Sequence, residues 1–153
     1  MDLADLLDED IVKVPMEAFD KEEAIAELLE LLVRTGQVEN RKGALKALLA
    51  RESKGSTGIG KGVAVPHARH PAISGAIAAA GVSRDGIEFD AVDEKEVRLV
   101  FLVLSEVEDP GPNVELLADI GYLVQVPGVY DKLVNASDSE EFLSIIEGVE
   151  FES

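Results

Sequence analysis

The sequence predicts an α/β sandwich, one mixed sheet covered by helices on both faces. Three observations carry that expectation. Leu99-Val-Phe-Leu-Val-Leu104 is a short, unbroken apolar run of the kind buried on both faces of a sheet. Elsewhere, segments such as 20–36 and 137–148 repeat their apolar residues at helical period. A chain of 153 residues that is 46% hydrophobic is also the size of one ordinary domain with a core of useful depth, so residues 1–153 read as a single domain.

Taken in order, Asp2–Leu7 reads as a short helix, and Ile11-Val-Lys-Val14 alternates like a short strand that Pro15 stops. Asp20 then stands as an N-cap with Glu23 at the capping-box spacing. Ile25, Leu28, Leu29 and Leu32 follow at helical period, and Gly36 closes the helix. A second helix runs from Arg41 to Arg51, with Ala44, Leu45, Leu48 and Leu49 as its apolar face. Ser53-Lys-Gly-Ser-Thr-Gly-Ile-Gly-Lys-Gly62, with four glycines and no apolar stripe, reads as a loop. Val63-Ala-Val65 is a short buried strand ended by Pro66, which delivers His67 at its tip. A strand at Ile77–Val82, a turn at Ser83-Arg-Asp-Gly86 and the strand Val97–Leu104 come next. Glu106–Pro112 is a loop by its charge and prolines. Helices at Asn113–Val126, Val129–Asn135 and Ser137–Gly148 finish the chain, the last opened by Ser137 or Asp138.

Composition removes several classes of function. Fourteen basic residues against 31 acidic ones give a formal charge of −17, which disfavours nucleic acid and favours, if anything, a basic protein partner. Cysteine is absent, which removes disulfides, thiolate metal sites and a Cys nucleophile together. The acidic start lacks the basic and apolar regions of a signal peptide. The longest apolar run is far short of the roughly 20 residues a membrane helix needs. No membrane insertion and a cytoplasmic location are expected.

Both histidines, His67 and His70, lie in Gly62-Val-Ala-Val-Pro-His-Ala-Arg-His70. A metal there would need a third ligand, such as Asp90 or Asp93, from elsewhere, and no H-E-x-x-H motif supports it. Gly58-Ile-Gly60 extends to neither a dinucleotide fingerprint nor a P-loop, so no metal and no cofactor are expected. What remains is a histidine behind a glycine-rich loop, with Arg51 ending the preceding helix. Those parts suit a phosphoryl carrier. Neutral imidazole is a nucleophile once a hydrogen bond fixes its tautomer. Backbone N–H groups at Gly58, Gly60 and Gly62 are able to cradle phosphoryl oxygens, and the fork of Arg51 or Arg69 matches two of them. A bland reading stands beside this: His67 as a loop or core-edge residue bonded to backbone, the glycines as a turn, Arg51 as a cap on its own helix, and His70 as a solvated side chain.

The segments Arg51-Glu52, Thr57-Gly-Ile-Gly-Lys-Gly62 and Gly62-Val-Ala-Val-Pro-His-Ala68 resemble the phosphotransferase-system enzyme IIA family of the fructose/mannitol type, in the branch that includes the nitrogen-regulatory enzyme IIA. The resemblance continues through Phe89-Asp-Ala-Val-Asp93, Leu116-Leu-Ala118 and Ser137-Asp-Ser-Glu-Glu141. It implies a three-layer α/β/α sandwich of the IIA mannitol type. It also implies a histidine that takes phosphate from the carrier protein HPr, or a nitrogen-branch relative, and passes it to a IIB partner or signals to a regulated target by its state. Carried onto this chain, His67 resembles the phosphoryl acceptor and Arg51 its supporting arginine; the chemistry of the residues themselves makes Thr57, Gly58, Gly60 and Gly62 the expected phosphoryl-binding loop. One departure stands out. The family commonly has a second histidine at the start of the Leu-Leu-Ala helix, and here Asn113 occupies that place. Asparagine can donate a hydrogen bond to a phosphoryl oxygen but can neither carry charge nor shuttle a proton. Glu106–Asp109 adds acid near the expected site, with Lys61 as a partial offset. The rival reading is a phosphate-silent regulatory module that keeps the fold and docks a partner.

Overall fold

The protein is described by a computed structural model over residues 3–150. Its strands are β1 (Val12–Lys13), β2 (Gly58–Gly60), β3 (Val63–Ala64), β4 (His67–Arg69), β5 (Ala76–Ile87) and β6 (Val97–Ser105). Its helices are α1 (Leu3–Leu6), α2 (Lys21–Arg34), α3 (Arg41–Ser53), α4 (Gly111–Gln125), α5 (Val129–Val134) and α6 (Ser139–Glu147), with a 3-10 turn at Glu9–Ile11. The expected first helix therefore appears at Leu3–Leu6, and Asp2 lies outside the described residues.

The sheet is mixed, in the order β1-β5-β6-β3-β2, with β4 also paired to β6. Antiparallel β5 and β6 form its centre, β1 runs parallel to β5, and β3 and β4 run parallel to β6. Its layers follow from the alternation of side chains along a strand. Gly81 pairs in register with Val100, and a Cβ on Gly81 would meet Leu28 of α2 and Met16 in the segment before it. Phe101, one residue on, faces the other way and meets the ring of Phe142 in α6, with centroids 6.4 Å apart. So α2, with α3 packed beside it, covers one face, and α4 to α6 cover the other. Val97 and Leu99–Leu104 are buried throughout, as a strand covered on both faces requires.

Local chemistry sets most boundaries. The Asp20 carboxylate accepts from Glu23 N at 2.8 Å, and Gly36 closes α2 in the left-handed region at φ 82°. Of the two candidate caps for the last helix, it is Asp138 that accepts from Glu141 N, at 2.9 Å. Three expectations are corrected. Ser83–Gly86 is no chain reversal: Ser83 Oγ accepts from Gly86 N at 3.1 Å and Gly86 has φ 86°, yet the segment is an irregularity inside β5, which pairs with β6 again at Ile87. The glycine loop is partly strand, since Gly58–Gly60 pairs antiparallel with β3. And His67 is not a strand tip. It opens β4, which resumes along β6 after the break at Val65-Pro66.

Candidate active site around His67

Register places the histidine. His67 pairs with Val103, so it projects from the sheet face that also carries Phe101, on the side of α4 to α6. Ala68 points the other way, toward α3. Between the last turns of α3 and the first turn of α4, beside β4, lies a cleft of about 330 Å³. It is lined by Ala47, Ala50, Arg51, Lys54, His67, Ala68, Arg69 and Asn113.

The imidazole is held in one tautomer. His67 Nδ1 lies 2.7 Å from the Val65 carbonyl oxygen, which can only accept, so Nδ1 carries a proton and in the neutral ring the lone pair is on Nε2. Arg51, in the last turn of α3, donates from Nη1 to Gly55 O at 2.8 Å, which fixes the guanidinium while leaving its other donors free. Asn113 is 8% exposed in the first turn of α4, and its Oδ1 is buried without a hydrogen-bond partner. The amino end of α4 adds a favourable field for an anion near Asn113.

His67, Arg51 and Asn113, predicted from widely separated stretches, thus share one cleft. The phosphoryl-binding loop does not join them. Strand β2 runs opposite β3, Val65 N donates to Thr57 O, and the chain then moves on past the hairpin before His67. Thr57 is buried, with its N–H given to Glu52 Oε2 at 3.0 Å and its hydroxyl to Glu52 Oε1 at 2.6 Å. Gly58 N donates to Ser56 Oγ at 3.0 Å, and a Cβ on Gly58 would lie 2.8 Å from that of Ala91. Gly60, at φ 91°, and Gly62, at φ 80°, turn the chain between β2 and β3. Gly62 also admits the Tyr130 hydroxyl, which would stand 2.0 Å from an added Cβ. Close approach and turning, rather than an open cradle of N–H groups, explain these glycines.

Lys61 sits on that turn, its N–H donated to Asp93 Oδ2 at 2.8 Å, and is not among the residues lining the cleft. The acids of 106–109 are absent from the lining too; Glu106 accepts from Gly75 N and Asp109 from Gly111 N. His70 is half-buried, with Nδ1 accepting from Ala72 N at 3.1 Å. Asp90 is paired with Lys21, and among the described residues no group of three or more His, Cys, Asp or Glu is placed to hold a metal.

Two residues that lie in the quoted segments carry a role the sequence did not assign them. Lys54, the C-cap of α3 and part of the Ser53–Gly62 stretch read as a loop, lines the cleft. Glu52 is 5% exposed and ties α3 to Thr57 and, at 3.8 Å, to Lys21 Nζ. Its signal was periodicity: Ala44, Leu48 and Glu52 fall on one helical stripe, and a carboxylate on a buried stripe needs partners.

Residues 5–149 match the family model described as phosphoenolpyruvate-dependent sugar phosphotransferase system, EIIA 2. The chain belongs to that family. It is 35% identical over 126 residues to the fructose-specific EIIA component of Haloferax volcanii, covering 82% of each chain. The crystal structure of nitrogen regulatory protein IIA-Ntr from Neisseria meningitidis superposes with a TM-score of 0.85 at 30% identity, covering 94% of this chain and 98% of that one. The Escherichia coli complex of enzyme IIA mannitol with phosphorylated enzyme IIB mannitol matches with a TM-score of 0.78 at 22% identity over 94% of this chain and 98% of that one, a likeness of fold. A further curated relative, 30% identical over 146 residues, is much longer, and this EIIA chain spans 23% of its length. The three-layer sandwich of the IIA mannitol type is therefore the architecture of this chain. Among the described residues no helix is long and apolar enough to cross a membrane.

Proposed function

We propose that this EIIA chain, as a single cytoplasmic domain, is a phosphoryl carrier with His67 as the acceptor. The observation that carries the reading is the Nδ1–H bond to Val65 O, which leaves Nε2 as a nucleophile in a cleft lined by cations. In the forward step Nε2 attacks phosphorus on a phosphorylated HPr-like carrier. A bond forms from Nε2 to phosphorus, the bond to the donor's leaving atom breaks, and that electron pair departs with the donor. The proton stays on Nδ1, hydrogen-bonded to the Val65 carbonyl, so the phosphorylated ring has imidazolium character and is a good leaving group. The same attack by a group on a IIB partner returns Nε2 to its lone pair. Such a transfer asks mainly for positioning and charge compensation, which Arg51 supports from the end of α3.

Incubation with phosphoenolpyruvate, enzyme I and HPr, followed by intact mass measurement, tests this. An acid-labile phosphoryl adduct on wild type and none on His67→Ala is the expected result. Adduct on both proteins, or on neither with cognate donors, overturns it. The second reading, a phosphate-silent regulatory module acting on a target protein, draws on Asn113, which supplies no charge. It predicts no adduct on wild type together with retained binding to the target.

A further inference from the structure

The cleft has a charge pattern that the chain as a whole does not. In a protein of formal charge −17, Arg51, Lys54 and Arg69 converge on it and no carboxylate lines it. Arg69 lies two residues after His67 on β4, so both side chains leave the same face of the strand, roughly 6.6 Å apart along it. Lys54, the C-cap of α3, lines the facing wall. Among the described residues neither Lys54 nor Arg69 makes a side-chain hydrogen bond or an ion pair. Lys13, Lys21 and Arg41, by contrast, are each salt-bridged. Two unpaired cations flanking a half-buried imidazole are placed for an anion, not for each other.

We propose that Lys54 and Arg69 bind the phosphoryl group carried by His67, supplying the charge compensation that the neutral Asn113 lacks. The inference rests on His67 as acceptor and deepens that reading. A phosphoryl group on Nε2 presents three oxygens. Arg51 meets one side with the donors left over from Gly55, and Arg69 reaches from the same strand face as the ring. Lys54 closes the opposite side as a compact charge on a flexible stem. Asn113 completes the set. Half a turn of its amide places Nδ2–H2 where Oδ1 now lies buried and unpartnered, and a phosphoryl oxygen is the acceptor such a donor needs.

The experiment labels wild type, Lys54→Gln, Arg69→Gln, the double variant, Lys54→Arg and a control, Lys46→Gln, whose side chain is exposed on α3 outside the cleft. It reads the initial labelling rate with HPr and the 31P NMR titration midpoint of the isolated phosphoprotein. Each single Gln variant is expected to label about 3- to 10-fold more slowly, below the range for buried oxyanion donors because both side chains are solvent-exposed. The double variant is slower still. Its 31P midpoint moves to higher pH, because nearby cations oppose protonation of the phosphoimidazole. Lys54→Arg restores most of the rate, and Lys46→Gln matches wild type. Failure of wild type to label refutes the carrier reading itself. Wild-type labelling with unchanged rate and midpoint in the double variant overturns the inference alone. A slower rate with an unchanged midpoint does so too, since the cations would then dock the donor protein rather than hold the phosphoryl group.

Discussion

The two ends of the segment Thr57–Arg69 are built on opposite terms. At the Pro66-His67 end the side chains leave polar atoms unspent: Nε2 of the ring, free donors on Arg51 and a buried Asn113 Oδ1. At the glycine end almost everything is spent. Thr57 is bound twice by Glu52, and Gly62 O accepts from Arg98 N, Leu99 N and the Tyr130 hydroxyl. A motif that reads as one functional block in sequence is thus divided in space into a reactive half and a half that fixes the strand delivering it.

The sharpest way to break that division is a reciprocal pair of variants. Gly62→Ala forces a Cβ to within 2.0 Å of the Tyr130 hydroxyl at a φ of 80°. Left-handed backbone and overpacking together cost about 2–4 kcal/mol, read as a fall in the urea midpoint. His67→Ala loses one hydrogen bond, about 1 kcal/mol, but all phosphoryl labelling. Loss of labelling in Gly62→Ala at full stability would place the glycine in the chemistry and erase the contrast.

The hinge between the halves is Glu52, next to Arg51 in chain and bonded to Thr57 across the loop. Glu52→Gln leaves a Thr57 donor facing an amide, and Thr57→Val removes the hydroxyl from Glu52 Oε1. Each is expected to destabilise by about 1–3 kcal/mol, with labelling slowed less than in Arg51→Ala. Urea denaturation and the HPr labelling rate check the two parts.

Sequence made the helices and the reactive histidine legible, because caps and periodicity are local signals. Asp20, Gly36 and the run Leu99–Leu104 each act within a few residues. What stayed hidden depends on distant partners. Ser83–Gly86 has real turn chemistry, but pairing of β5 with β6 on both sides of it keeps the strand continuous. The glycines from 58 to 62 looked like an anion cradle because nothing in the sequence says that Ala91 and Tyr130 press against two of them. Lys54, read only as part of a loop, joins His67 when α3 packs beside β4.

A smaller effect isolates the share of the Tyr130 hydroxyl in the demand for glycine at position 62. In a Tyr130→Phe background the nearest atom to the added Cβ, the hydroxyl, is gone, while the strained φ remains. Tyr130→Phe alone costs up to about 1 kcal/mol for the 3.3 Å bond to Gly62 O. Gly62→Ala should therefore cost less in that background than in wild type, by about 1–2 kcal/mol. Strict additivity would mean that the hydroxyl is not what demands glycine, leaving the strained φ and the ring carbon Cζ, 2.9 Å from the added Cβ, as the causes.

The smallest effect is in pH, and it belongs wholly to the glycine half. Burial pushes the Tyr130 hydroxyl above its ordinary 10.0. The folded chain then holds its proton where the unfolded chain has released it, so stability is full below pH 10.0 and falls as pH rises past it. Asp93 runs the other way. The N–H groups of Lys61 and Lys95 hold its carboxyl below 3.8, so its contribution is present above that value and is lost as pH falls through the lowered one. Asp93 is exposed, so the acid limb is shallow. Tyr130→Phe should flatten the alkaline limb of a stability-against-pH curve and leave the acid limb in place, whereas Asp93→Asn should do the reverse. An alkaline limb that survives Tyr130→Phe would mean that groups other than the hydroxyl seated on Gly62 govern it.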